Sequence, residues 1–305
     1  MWYRVKCNHE RQTNSMKISE IISSGVPSLS FEIFPPKVDT ALADVKEAAR
    51  KIAALSPSFM SVTYGAGGTT AGLTLEVADA VENGFGVTAL AHMTCLSSDK
   101  SVIKEHLSAL REKGIENVLA LRGDVPAGAE PHRGDYAHAS DLARDIVSFG
   151  GFCVGGACYP EGHPESPSQK EDVENLKIKA EAGCEFFTTQ MFFDNNILYN
   201  FLYKIREAGI KVPVIAGIMP VTNGSQIKRI CALSGTALPQ RFKQIVDRYS
   251  SDPRAMAQAG IAYATEQIVD LYANGIGAVH VYSMNKPEVA EAIVRNVGAI
   301  IGRPE

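Results

Sequence analysis

The sequence predicts an α/β chain folded as one (β/α)8 barrel. From Leu29 onward, short runs rich in β-branched and aromatic residues alternate with longer amphipathic segments, and the pairing recurs eight times without a linker-like break in composition. Such alternation implies parallel strands joined by helical crossovers. An open doubly wound sheet is the competing arrangement, but eight uninterrupted β/α units within 305 residues match a barrel in both repeat and size. Residues 16–305 are therefore read as a single barrel domain. Residues 1–15, "MWYRVKCNHERQTNS", lack periodicity and precede a second methionine, Met16, so they are read as an N-terminal tail or an upstream start.

Taken in order, "MKISEIISSG" opens at Met16 as a short helix. The eight strands are expected at Leu29 to Phe34, Phe59 to Thr63, Thr88 to Met93, Asn117 to Leu121, Phe152 to Cys158, Phe186 to Gln190, Val214 to Ile218 and Ala278 to Tyr282. Each is too short for a stable helix and is bounded by turn residues. Between them, "ALADVKEAARKIAAL", "SVIKEHLSALREKG" and "EDVENLKIKAEAG" place apolar residues at helical spacing beneath charged faces, and several segments end at a glycine stop. A longer helical insert, Leu238 to Asn274, separates the seventh and eighth strands and carries a polar break, "SSDPRA".

Composition narrows the chemistry. Thirty basic residues nearly balance 34 acidic ones, and no basic block with interleaved aromatics suggests a nucleic-acid surface. No apolar run reaches the roughly 18 residues that span a bilayer, and the start lacks a signal-peptide core, so a cytoplasmic protein is expected. The six cysteines form no Cys-x-x-Cys pair and mostly occupy apolar runs, so neither a disulfide nor a metal site is expected.

In a barrel, the C-terminal ends of the strands face the active site. The residues there are unusually polar: Glu32, Thr63, Tyr64, His92, Thr94, Arg122, Asp124, Tyr159, Glu161, His163, Gln190, Tyr282, Asn285 and Lys286. Buried polar groups without partners cost about 1 to 3 kcal/mol each, so their convergence points to a ligand. Glu32 lies inside the apolar run "LSFEIFPPK", where burial would raise its pKa and keep a proton for general-acid work; a structural bridge to Lys37 or Arg122 is the plainer reading. His92 reads equally as a core histidine. "Leu121-Arg122-Gly123-Asp124" resembles an adhesion tripeptide, but it follows a buried strand. The glycine-rich turn from Tyr64 to Thr69 is placed to receive a phosphate, although its spacing matches no phosphate-binding fingerprint. On "Asn175-Leu176-Lys177-Ile178-Lys179" the lysines read as a solvated face, with one able to reach a cofactor phosphate.

Together "SFEIFPPK", "SVTYGAGG", "AHMTC", "LALRGD", "ACYPEGHPE", "NLKIKAEAG", "TTQMFFD", "GIMPV" and "VYSMN" resemble the ordered motifs of methylenetetrahydrofolate reductase, running from residue 30 to about 286. The resemblance implies a barrel carrying non-covalent FAD, with NADH or NADPH as hydride donor and 5,10-methylenetetrahydrofolate as acceptor. It implies that Glu32 is the general acid and that Asp124 lies beside flavin and pterin. Gln190, Gln226 and Lys286 correspond to folate-binding positions, and Thr63 to a nicotinamide contact. Tyr64, Ala66, His92, Arg122, Gly123, Ala139, Tyr159, His163, Ser166, Asp172, Asn175 and Lys179 fall on FAD positions. A homo-oligomer is expected, and some relatives take electrons from a partner subunit. The chain departs from the pattern at Ile178, where some members place an arginine, at Lys286 for an expected arginine, at His138 for a usual tyrosine, and at Ile230, an aromatic position in some members. A non-catalytic or partner-dependent flavin subunit is the alternative; a zinc-dependent pterin methyltransferase would need clustered cysteines.

Overall fold

A computed structural model describes residues 16–36, 41–64, 71–96, 98–124 and 134–302. Expectations resting on residues 1–15, Lys37, Ala66 or the remainder of the glycine-rich turn lie outside the described residues. Eight parallel strands close into a barrel in sequence order: β1 Ser28–Ile33, β2 Met60–Val62, β3 Ala89–Thr94, β4 Asn117–Leu121, β5 Cys153–Cys158, β6 Phe186–Thr189, β7 Val214–Ile218 and β8 Ala278–Val281. Strand β8 pairs with β1 in register Leu29 to Val279 and Ser30 to His280, which completes the ring. The strands read clearly in the sequence because parallel strands are covered on both faces and become nearly continuous apolar runs. β2 is the shortest, since Phe59 and Thr63 fall outside its ladder.

The helices are α1 Ile18–Ser23, α2 Leu42–Ala53, α3 Ala71–Asp79, α4 Lys100–Glu112, α5 Ala139–Phe149, α6 Gln169–Glu181, α7 Asn195–Glu207, α8 Gly224–Ser234, α9 Gln240–Tyr249, α10 Pro253–Ala273 and α11 Pro287–Val297. A π turn, Ala80–Gly84, extends α3. The sequence break at "SSDPRA" separates α9 from α10: Asp252 accepts the Arg254 and Ala255 N–H groups, and Pro253 begins the new helix where its missing N–H is harmless. Ser168, Asp194 and Asn223 cap α6, α7 and α8 in the same way.

Helix α1 closes the N-terminal end of the barrel. Ile18 is fully buried against Phe59, Leu90 and Phe186, and its N–H donates to Asn117 Oδ1 at 2.9 Å. Asn117 returns an Nδ2 bond of 3.1 Å to the Met16 carbonyl. Above this apolar plug the interior changes character, with Ser30, Glu32, Ser61, His92, Thr188 and His280 all buried. Two glycines make room for bulky neighbours there. A Cβ on Gly155 would strike the Phe186 ring, and one on Gly217 would meet the Tyr282 hydroxyl at 2.5 Å. That hydroxyl donates to the Thr189 carbonyl at 2.6 Å, which holds Tyr282 across the barrel mouth.

Candidate active site

Two adjoining cavities open at the C-terminal ends of the strands. The larger measures about 760 Å³, and its wall contains Thr63, Tyr64, His92, Arg122, Gly123, Asp124, Ala139, Tyr159, His163, Ser166, Asp172, Asn175 and Lys179. Every described residue expected at an FAD position therefore borders one space. The smaller, about 380 Å³, is bordered by Glu32, Gln190, Met219, Ile230 and Tyr282, with His92 and Tyr159 common to both. His138 and Ile178, two of the departures from the family pattern, border the larger cavity.

Glu32 lies on β1 with only 6% of its surface exposed. Burial pushes its carboxyl up to about 8, and the same effect drives the His92 imidazole down to about 3. Near neutral pH both are uncharged, so their 3.7 Å approach is not an ion pair. Nor does Glu32 bridge to Arg122, the plainer expectation for it. Arg122 instead forms a bidentate pair with Glu165 at 2.5 and 2.7 Å, because the loop after β5 brings that carboxylate over the guanidinium.

A hydrogen-bond chain lies behind Glu32. Ser30 Oγ donates to the Val279 carbonyl at 3.1 Å, since a carbonyl can only accept. Ser30 Oγ also lies 2.7 Å from His280 Nδ1, and Ser61 Oγ lies 2.9 Å from His280 Nε2. Burial, with His92 adding to it, drives the His280 imidazole down to about 3, so the ring is neutral and carries one N–H. Ser61 is the register partner of Glu32 across the β1–β2 ladder, and its hydrogen bond lowers the Glu32 pKa, offsetting part of what burial does. Burial is therefore what keeps the Glu32 carboxyl protonated. Among the sequence-stretch candidates neither serine nor His280 was legible, because their role depends on three strands meeting inside the barrel.

The larger cavity has different chemistry. Lys179 is turned inward from α6, its Nζ donating to the Ala157 carbonyl at 2.8 Å, while Lys177 on the same helix is exposed. Burial lowers the Lys179 pKa. Ser166 Oγ donates to Asp172 Oδ1 at 3.0 Å, and Tyr159 packs edge-on to His163 at 4.6 Å. Burial, with the Asp124 carboxylate adding to it, pushes Tyr159 up to about 12. His138 and Ala139 bring the first turn of α5 to the wall, where helix N–H groups favour an anion. An inward lysine, a helix N-terminus, aromatic rings and an aspartate that accepts from a hydroxyl together fit a dinucleotide such as FAD.

Gln190 Oε1 accepts the Met191 N–H at 2.9 Å, leaving its NH2 end for a ligand. Gln226 is exposed on α8, and Lys286 Nζ donates to Thr222 Oγ1 at 2.7 Å; neither borders either cavity. Met284 and Asn285 adopt left-handed backbone conformations at φ 57° and 55°. Asn285 is tied back by its amide to both the N–H and the carbonyl of Phe34 at 2.8 Å, which pins the loop after β8 beside the end of β1. Among the described residues no group of three metal-ligating side chains occurs and no helix is long and apolar enough to cross a membrane. The described cysteines are free thiols.

A family model described as "Methylenetetrahydrofolate reductase" matches residues 17–298. The chain is 34% identical over 298 residues to "Methylenetetrahydrofolate reductase (NADH) 1" of Arabidopsis thaliana, covering 93% of this chain and 50% of that protein. It is 30% identical over 291 residues to "5,10-methylenetetrahydrofolate reductase" of Escherichia coli K12, covering 95% and 97%. It thus spans about half the length of the plant relative and nearly all of the bacterial one. Among solved structures, an uncharacterized protein from Clostridium thermocellum, described as binding two copies of 5-methyl-5,6,7,8-tetrahydrofolic acid, shares the fold. Its TM-score is 0.65 at 13% identity, over 94% of this chain and 99% of that one.

Proposed function

The chain belongs to the methylenetetrahydrofolate reductase family, and on that premise we propose that it reduces 5,10-methylenetetrahydrofolate to 5-methyltetrahydrofolate. The single observation that carries the reading is a neutral, proton-bearing Glu32 at the wall of a ring-sized cavity adjoining a dinucleotide-sized one. The name of the bacterial relative, which this chain covers almost end to end, supports the activity. Relatives named for NADH support a reduced nicotinamide as donor.

FAD bound in the larger cavity supplies hydride chemistry that no side chain can provide. Lys179, Arg122 and the N-terminus of α5 would hold its phosphates, and Asp172 its hydroxyl groups. Tyr159, Tyr64 and Thr63 would border the ring system. In the smaller cavity Gln190 orients the folate, and Glu32 gives its proton to the leaving nitrogen of the five-membered ring. One C–N bond breaks, an N–H bond forms, and the exposed methylene carbon becomes the iminium that accepts hydride. Glu32 is left as a carboxylate and regains a proton before the next turnover. Its pKa near 8 suits this role, since an acid works best when its pKa lies close to the operating pH. Asp124, on the wall of the larger cavity, adds a fixed negative charge there.

The test is an anaerobic absorption experiment on purified protein. The expected result is a yellow protein that releases FAD on denaturation, bleaches with NADH or NADPH and regains colour with methylenetetrahydrofolate. A colourless protein that fails to take up added FAD would rule the function out.

A further inference from the structure

Thr188 was not singled out by any motif reading, yet it is the residue whose chemistry the site leaves unused. It lies on β6, is 6% exposed, and borders the smaller cavity together with Glu32 and Gln190. Its Oγ1 is fully removed from solvent and meets no hydrogen-bond partner among the described residues. A buried hydroxyl without a partner is unfavourable, which is why most are paired and why an orphan in a cavity wall points to an absent ligand. The polar groups that share the cavity wall with it are otherwise engaged: His280 meets Ser30 and Ser61, and the Tyr282 hydroxyl donates to the Thr189 carbonyl. Ala157, its register partner on β5, contributes only a methyl group.

Gln190 is two residues farther along the same chain direction, so its side chain and that of Thr188 leave one face about 7 Å apart. The amide presents N–H donors, because its oxygen is occupied by the Met191 N–H. The hydroxyl can donate or accept. Such a pair matches the polar edge of a flat heterocycle that carries both ring nitrogens and N–H groups. We infer that Thr188 is a folate-binding residue, its hydroxyl making a second hydrogen bond, deeper in the barrel than that of Gln190, to the reduced pterin ring. This rests on the folate reading of the smaller cavity given above.

The experiment compares wild type, Thr188→Val and Thr188→Ser in both half-reactions by anaerobic stopped flow, alongside FAD content and thermal melting. Valine keeps the volume and replaces the hydroxyl with a methyl group. The expected result is an apparent Kd for methylenetetrahydrofolate raised about tenfold in Thr188→Val, restored in Thr188→Ser, with reduction by NADH unchanged. FAD content should be unchanged and the melting temperature of the free protein equal to wild type or higher, because no existing bond is lost. A Thr188→Val protein that binds the folate as tightly as wild type overturns the inference, as does one that melts lower or loses affinity for NADH alone. If wild-type protein itself is not reoxidised by methylenetetrahydrofolate, the proposed function fails instead, so the two failures are distinct.

Discussion

The two cavities at the barrel mouth share His92 and Tyr159 yet handle charge in opposite ways. The larger keeps an ion pair at its rim, Arg122 with Glu165, while Lys179 and Asp172 stand on one helix that borders the space. The smaller suppresses them, since burial holds Glu32 protonated and His92 unprotonated among apolar neighbours such as Met219 and Ile230. Exposure accounts for the difference. Arg122 and Glu165 reach the rim, where water screens them, whereas Glu32 lies one strand-end deeper, where a lone charge is costly. One barrel can thereby anchor a charged cofactor beside a site that stores a proton.

The strongest way to break that contrast is Glu32→Gln, which keeps shape and removes the proton. Reoxidation by methylenetetrahydrofolate should slow by about 100-fold or more, while reduction by nicotinamide persists. Stability should change as well. The folded pKa near 8 exceeds the ordinary 4.5, so the native carboxyl retains a proton that the unfolded chain releases. Its contribution is full below about pH 4.5 and is lost as pH rises through about 8. The glutamine variant lacks that loss, so its melting temperature should pull ahead of wild type between pH 5 and 8, by an amount corresponding to a few kcal/mol. His92 and His280 work on the other side: their depressed values give stability that is present above about 6.5 and lost as pH falls toward 3.

A smaller effect is expected in the charged cavity. Lys179→Met should raise the dissociation constant for FAD by about 10-fold or more with the fold retained, read by flavin fluorescence during titration. Smaller again is Ser61→Ala. The Ser61 hydrogen bond lowers the Glu32 pKa, so without that hydroxyl the alkaline limb of the folate half-reaction should move up by about one pH unit. An unmoved limb would detach the hydrogen-bond chain from the acid. Least of all, deleting residues 1–15 should leave FAD content and turnover essentially unchanged, because Ile18 and Met16 supply the ties to Asn117 that hold α1.

Much of the fold was legible because it depends on local pattern. All eight strands lie within one or two residues of their expected ends, since buried parallel strands announce themselves as apolar runs and Gly or Asx residues punctuate them. The polar residues at strand ends were legible for a related reason: barrel topology assigns those positions to one face. What stayed hidden is what depends on register across strands. Nothing in "SVTYGAGG" reveals that Ser61 faces Glu32, or in "VHVYSMN" that His280 reaches both Ser30 and Ser61. Thr188 was hidden among other strand threonines until its lack of a partner appeared in three dimensions. Lys179 and Lys177 look alike in sequence, and only the pitch of α6 turns one inward.

The central claim is that Glu32 holds a proton at neutral pH because the barrel buries it. Infrared difference spectroscopy on wild type against Glu32→Gln, titrated from pH 6 to 10, reads that proton directly. The expected result is a protonated-carboxyl band at pH 7 that is absent from the variant and disappears in wild type with a midpoint near pH 8. A carboxylate band for Glu32 already complete at pH 6 would contradict it.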